Sequence, residues 1–110
     1  MITNKDAVNV HTNLIDRFLH YLACSSESGC EAELYHILEG ELTQLGFSVQ
    51  PCLNGLSRLP TPNLYAYLEG QGEPLLYAAH MDTVSQGGEI RPYIDIEKGV
   101  VRSRGDTILG

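Results

Sequence analysis

The sequence predicts an α/β domain in which two helices precede a mixed β-sheet. Two amphipathic segments lie in the first half of the 110-residue chain, and short segments of strand length follow them. Helical and strand-like patterns that occur together in one short chain are typical of a sheet covered by helices. The apolar segment 74–79 ends at His80, and its lack of polar alternation indicates a strand that is buried on both faces.

An amphipathic pattern over residues 5–23 predicts the first helix. Leu14, Phe18 and Leu22 recur four residues apart, and we expect this face of the helix to pack on the core. The small polar residues of segment 24–29 have the composition of a loop, which separates this helix from the next.

The second helix is predicted over residues 30–45, with Gly46 as its C-terminal stop. Ser28 and Glu31 have the spacing of a capping box, in which each side chain binds a free backbone N–H at the helix start. Its predicted core face consists of Leu34, Leu38, Leu42 and Leu45.

Strand-like segments follow at residues 47–50, 63–69, 74–79, 94–96 and 100–103. Proline, glycine and asparagine residues make segment 51–62 a predicted loop. The tight turn at 70–73 predicts that the strands on either side of it pair antiparallel, which would make the sheet mixed. Residues 97–99 predict the turn of a terminal hairpin.

The composition excludes several classes of partner. Seven basic against fourteen acidic residues give a formal net charge of −7, which argues against nucleic acid as a partner. No segment approaches the length of about 20 apolar residues that spans a membrane, and the first residues lack the apolar core expected of a signal peptide. The three cysteines suggest no disulfide framework, so we predict a cytoplasmic protein.

His80 and Asp82 are the strongest candidates for chemistry. In extended backbone, residues two positions apart point to the same side, so both side chains can face one site. A neutral imidazole suits zinc, and a neighbouring carboxylate can hold the ring in its metal-binding orientation. The spacing alone favours the structural alternative, a hydrogen-bonded pair that closes a strand.

The motif His80-Met81-Asp82-Thr83-Val84 resembles the first metal motif of the M20 family of metallopeptidases. Flanking segments agree with that family in order along the chain. They comprise Ser26, Ser28, Gly29 and Glu31 before the second helix, Leu45-Gly46-Phe47 at its exit, Asn63-Leu64 at a strand start, and residues 104–110. Within the family, the chain is most similar to the peptidase T branch, the tripeptide aminopeptidases and their relatives.

The resemblance implies a role for each residue of the pair. His80 matches the first zinc-ligand histidine, and Asp82 matches the aspartate of the catalytic set that orients it. The complete enzymes hold two zinc ions. Residues 1–110 would then be the N-terminal portion of a zinc-exopeptidase-type catalytic domain, incomplete because it stops before the motif that contains the metal-bridging aspartate. The general base, the other ligands and the lid or dimerisation domain would lie further on.

The function implied is a zinc-dependent exopeptidase that releases N-terminal residues from short peptides and that forms a homodimer when complete. The 110 residues alone would be inactive, because they supply one recognised ligand. Another M20 amidohydrolase or deacylase is the enzyme alternative. The alternative from a different class is a non-catalytic product, either a truncated one or a small interaction module that kept the fold and lost the reaction.

Overall fold

A computed structural model describes residues 4–53 and 60–109, and for residues 4–12 it describes the backbone alone. Helices and strands follow in the order α1 (Asn4–Leu22), α2 (Ala32–Gln44), β1 (Ser48–Cys52), β2 (Asn63–Tyr67), β3 (Pro92–Asp95) and β4 (Val100–Ser103). The predicted α/β composition, with both helices before the strands, is confirmed. The chain forms two compact units, one of which is Ser26–Val84 and the other the residues before and after it.

In the unit Ser26–Val84, helix α2 packs against the antiparallel pair of β1 and β2. Leu34 and Tyr35 in the first turn of α2 are its buried hydrophobic side chains. Strand β1 includes Pro51, which was predicted to begin a loop. Proline has no N–H to donate and is tolerated in an edge strand, which β1 is in this two-stranded sheet. Residues 54–59 of the predicted loop lie outside the described residues.

The C-terminus of α2 confirms the predicted stop at Gly46, which adopts a φ of 92°. The Gly46 N–H donates to the Thr43 carbonyl at 3.0 Å, and the Phe47 N–H donates to the Leu42 carbonyl at 3.0 Å. These two bonds form a Schellman motif, whose left-handed residue favours glycine. Helix α2 is therefore ended by local hydrogen bonding that the sequence encodes.

The N-terminus of α2 contradicts the predicted capping box. Glu31 occupies the N-cap position and forms no side-chain cap hydrogen bond. Its Oε1 atom instead accepts the Gly29 N–H at 2.8 Å. Because the helix begins at Ala32, Ser28 lies three residues before the N-cap and cannot cap the first turn.

Segment 74–79 forms no strand, and this prediction is wrong for the described chain. Leu75, Leu76 and Tyr77 are 81, 87 and 87% exposed. An apolar run becomes a buried strand only where other segments pair with its backbone and cover its faces, and β2 pairs with β1 instead. The strands consequently form two separate two-stranded antiparallel sheets in the described residues, and the single mixed sheet of the prediction is not formed.

The second unit contains α1 and the hairpin of β3 and β4. The helix and the hairpin are confirmed, and the Asp95 carboxylate accepts the Lys98 N–H at 3.2 Å within the turn. The predicted packing of α1 is not observed at Leu14 and Phe18, which are exposed, whereas Leu22 is half-buried. An amphipathic pattern defines which face is apolar, whereas other segments decide whether that face is covered.

No helix among the described residues is both long enough and apolar enough to cross a lipid bilayer.

Candidate functional site

His80 and Asp82 lie together in the unit Ser26–Val84, at the end of the exposed apolar segment. The Nδ1 atom of His80 is 2.7 Å from the main-chain carbonyl oxygen of Asp82 and 3.2 Å from its Oδ1 atom. The side chain of His80 is 84% exposed and that of Asp82 is 45% exposed. The structure therefore brings the predicted pair into direct contact, with most of the imidazole ring open to solvent.

The closer contact determines which nitrogen of His80 carries the proton. A carbonyl oxygen can only accept a hydrogen bond, so Nδ1 must donate to the main chain of Asp82. In the neutral ring, Nε2 then holds the free lone pair. A metal-binding histidine has this tautomer when its second nitrogen donates to a carbonyl or a carboxylate.

Ser28 is the third member of the site. Its hydroxyl donates to Oδ2 of Asp82 at 2.7 Å, while Oδ1 of the same carboxylate faces His80. Hydrogen bonds from Ser28 and then from His80 stabilise the ionised carboxylate and hold the pKa of Asp82 below its ordinary value, although partial desolvation opposes them. We name these residues, Ser28, His80 and Asp82, the Ser–Asp–His cluster.

Main-chain hydrogen bonds hold the two segments of the cluster side by side. The Thr83 N–H donates to the Ser26 carbonyl at 2.8 Å, and the Ser28 N–H donates to the Thr83 carbonyl at 3.3 Å. They form an isolated parallel bridge between Glu27 and Thr83. Ser28 therefore reaches Asp82 from a loop whose backbone is already paired with the segment that carries Asp82.

The sequence predicts a helix-capping role for the Ser28 hydroxyl, whereas in the structure that hydroxyl binds Asp82. Ser28 and Asp82 are separated by 54 positions in the chain. No local pattern reports a contact over that separation. The two main-chain bonds to Thr83 form only when the loop and the segment meet in the folded chain.

Buried oxygen atoms without a hydrogen bond lie near the cluster. Oε2 of Glu31 and Oγ1 of Thr83 are buried and have no hydrogen-bond partner among the described residues. Buried polar atoms are paired in most native structures, and an unpaired one costs free energy. Both atoms belong to residues in or next to the paired segments that carry the Ser–Asp–His cluster.

The fit of the cluster to zinc is partial. Nε2 of His80 is a suitable donor, and the contacts of Nδ1 match those of a zinc-bound histidine. A catalytic zinc ion typically has three protein ligands. Across residues 4–53 and 60–109, no group of three or more histidine, cysteine, aspartate or glutamate side chains could hold a metal ion. The described residues thus offer one ligand, and no reaction step through a metal follows from them alone.

Known proteins that are similar to this chain include two from bacteria. It is 32% identical over 100 residues to the uncharacterised protein YqjE of Bacillus subtilis (strain 168), a match that covers 88% of this chain and 26% of YqjE. It is 39% identical over 67 residues to a succinyl-diaminopimelate desuccinylase of Gluconobacter oxydans (strain 621H), which covers 60% of this chain and 17% of the desuccinylase.

The chain spans about a quarter or less of the length of these relatives, at 26 and 17%. No protein-family model matches the sequence, and no solved structure matches the chain. The similarity to the desuccinylase extends over 67 residues.

Proposed function

We propose that this chain is the N-terminal portion of the catalytic domain of a zinc-dependent M20 hydrolase, which cleaves an amide bond. The observation that carries the proposal is the arrangement of His80, whose Nδ1 donates to Asp82 while Nε2 remains available on an exposed ring. The similarity to a desuccinylase over 67 residues is an independent observation in favour of a hydrolase.

In this proposal His80 is one zinc ligand, and Asp82 orients its ring. When bound, zinc polarises a carbonyl group and lowers the pKa of a bound water to near neutrality. The remaining ligands would come from residues outside this sequence, which is consistent with a chain that spans 26% of YqjE. The short chain by itself is then expected to be inactive and to bind zinc weakly.

Two substrate classes are candidates. The sequence motifs resemble the tripeptide aminopeptidases, which predicts a small peptide from which the N-terminal residue is released. The similarity to a desuccinylase favours instead an acylated amino acid as the substrate. Both reactions hydrolyse an amide bond, and residues outside this chain are expected to distinguish the two substrates.

The first test is the intact mass of the native polypeptide, because this chain accounts for 12.1 kDa. A mass several times larger would support the proposal that the catalytic domain continues. A native mass near that of the chain would contradict it and favour a non-catalytic truncated product.

We also propose a cytoplasmic location, which cell fractionation would test. For the complete enzyme we propose a homodimer, which light scattering would test.

The second test compares the longer protein on matched substrates, namely a panel of tripeptides and a panel of N-succinyl and N-acetyl amino acids. Zinc-dependent hydrolysis of either panel supports the proposal, and the preferred panel identifies the substrate class. His80→Ala should abolish detectable hydrolysis, and Asp82→Ala should lower it by about 10- to 100-fold. His36→Ala is the matched control, because His36 is an exposed histidine on α2 that contacts Glu39 instead. Wild-type activity in His80→Ala would refute the assignment.

A further inference from the structure

Ser28 is bound to the carboxylate that contacts His80. The two oxygen atoms of Asp82 are divided between two partners, with Oδ2 accepting from Ser28 at 2.7 Å and Oδ1 lying 3.2 Å from His80 Nδ1. A carboxylate anchored at one oxygen cannot rotate freely about its last bond without breaking that hydrogen bond. Its other oxygen therefore remains directed at the imidazole.

The position of Ser28 is itself fixed independently of its side chain. The main-chain bonds of Ser26 and Ser28 to Thr83 hold the loop beside Asp82. Because these bonds involve backbone atoms, they persist when the Ser28 side chain is replaced. A substitution at Ser28 can therefore remove the hydroxyl while leaving the loop in place.

From this geometry we propose that Ser28 is a positioning residue of the site: it holds the Asp82 carboxylate against Nδ1 of His80 and so favours the imidazole tautomer with Nε2 free to bind a metal ion. The use of Nε2 to bind a metal ion rests on the proposed function. The preference for one tautomer is a property of the chain without metal. Ser28 touches neither metal nor substrate in this role and acts only through Asp82.

The expected effect is moderate because the main-chain carbonyl of Asp82 also accepts from Nδ1, at the shorter distance of 2.7 Å. That acceptor remains in every side-chain variant. The ring is also 84% exposed, so water competes for both of its nitrogen atoms. Loss of one exposed hydrogen bond in the cluster should change the ratio of the two tautomers by about two- to fourfold.

The test measures the tautomers of His80 directly in the 110-residue chain by long-range proton–nitrogen correlation spectra of nitrogen-15-labelled histidine. Spectra recorded over a series of pH values identify the range in which the ring shifts no longer change, and the tautomer ratio is taken there. Ser28→Ala and Ser28→Val should lower the ratio of the Nδ1–H to the Nε2–H form by about two- to fourfold. Ser28→Thr, which restores a hydroxyl and has nearly the shape of the valine variant, should return the ratio to that of the wild type.

Ser25→Ala is the matched control, because Ser25 is an exposed serine immediately before the paired loop. It should leave the ratio unchanged. Backbone amide spectra identify any variant that loses its fold. If Ser28→Ala unfolds, the comparison of Ser28→Thr with Ser28→Val still decides the question.

A double-mutant cycle tests whether Ser28 acts through Asp82. In the Asp82→Ala background, replacing Ser28 should no longer change the tautomer ratio. An unchanged ratio in Ser28→Val, or an equal effect with and without Asp82, would overturn the inference. Neither result involves zinc or substrate, so either would leave the proposed hydrolase function standing. Conversely, failure of the longer protein to hydrolyse amides would leave the tautomer result valid.

Discussion

The Nδ1 atom of His80 lies closer to the main-chain carbonyl oxygen of Asp82, at 2.7 Å, than to Oδ1 of the same residue, at 3.2 Å. The aspartate thus contacts the ring through its backbone as well as through its carboxylate. Backbone acceptors are independent of side-chain identity. The orientation of His80 therefore depends on the local chain path at residues 80–82 in addition to the carboxylate.

This geometry predicts that Asp82→Ala weakens the preferred tautomer of His80 without removing it. The Nδ1–H form should remain the major form of the neutral ring, although its ratio to the Nε2–H form should fall by about three- to tenfold. Nitrogen-15 shifts of the ring measure that ratio, and His20, an exposed histidine on α1, provides an internal reference. A ring in Asp82→Ala that is predominantly Nε2–H would show that the carboxylate alone selects the tautomer.

Two glycines of the α2 region should respond in opposite directions to alanine. Gly46 adopts a φ of 92°, and a Cβ added there would meet nothing within 4 Å, so backbone conformation alone opposes Gly46→Ala. We expect a loss of about 1 kcal/mol of unfolding free energy. Gly40 lies inside the helix in equally open space, and Gly40→Ala should add about 0.5–1 kcal/mol.

Urea titrations of the two glycine variants, followed by circular dichroism, give both changes from the shift in midpoint. Because neither added methyl group has a close neighbour, packing does not confound the comparison. An unchanged or increased stability in Gly46→Ala would contradict the assignment of Gly46 to a Schellman motif.

Two leucines of the unit Ser26–Val84 should differ sharply in their contribution to stability. Leu34 is 8% exposed, and Leu34→Ala should cost about 2–5 kcal/mol through lost burial and the cavity that remains. Leu76 is 87% exposed, so Leu76→Ala should change the unfolding free energy by no more than about 0.5 kcal/mol. Denaturant unfolding measures the loss of unfolding free energy in each variant. If Leu34→Ala has no folded baseline, its loss exceeds the measurable range and is the larger of the two.

An equally large loss of stability in Leu76→Ala would show that segment 74–79 is covered in solution. Leu75→Ala is a second probe of the same segment, because Leu75 is also exposed. The pair of variants therefore tests whether segment 74–79 is exposed in the folded chain.

Tyr35 should make the stability of the chain depend on alkaline pH. Burial, and then the nearby Glu39 carboxylate, raise the pKa of Tyr35 above its ordinary value of 10.0. The folded state therefore retains the phenolic proton more strongly than the unfolded state. The stabilisation is fully present below the unfolded pKa of about 10, and it is lost as the pH rises through the higher folded pKa.

Unfolding free energies are measured at several pH values from about 8 to above the ordinary tyrosine pKa of about 10. They give the slope of the unfolding free energy against pH. Tyr35→Phe should reduce the alkaline decline, since phenylalanine has no proton to lose. Tyr77→Phe is the control, because Tyr77 is exposed and its environment changes little on unfolding. A decline that is identical in wild type and Tyr35→Phe would contradict the predicted role of burial.

The locally encoded features of this protein are those that the sequence determined by itself. Helical periodicity defined α1 and α2 to within two residues at each end, Gly46 marked the end of α2, and the turn before Val100 defined the hairpin. The contact of His80 with Asp82 belongs to the same group, because residues two positions apart are near each other in almost any extended path. Each of these features depends on bonds among residues close in the chain.

Tertiary structure decided the rest, because burial and strand pairing depend on segments distant in sequence. The apolar run 74–79 has the composition of a buried strand, yet no described segment pairs with it. Ser28 has the spacing of a helix cap, yet its hydroxyl binds Asp82, 54 positions away. A hydrogen bond over such a separation forms only after the chain has paid the entropy of bringing both segments together, and the pairing of the loop with Thr83 achieves this here.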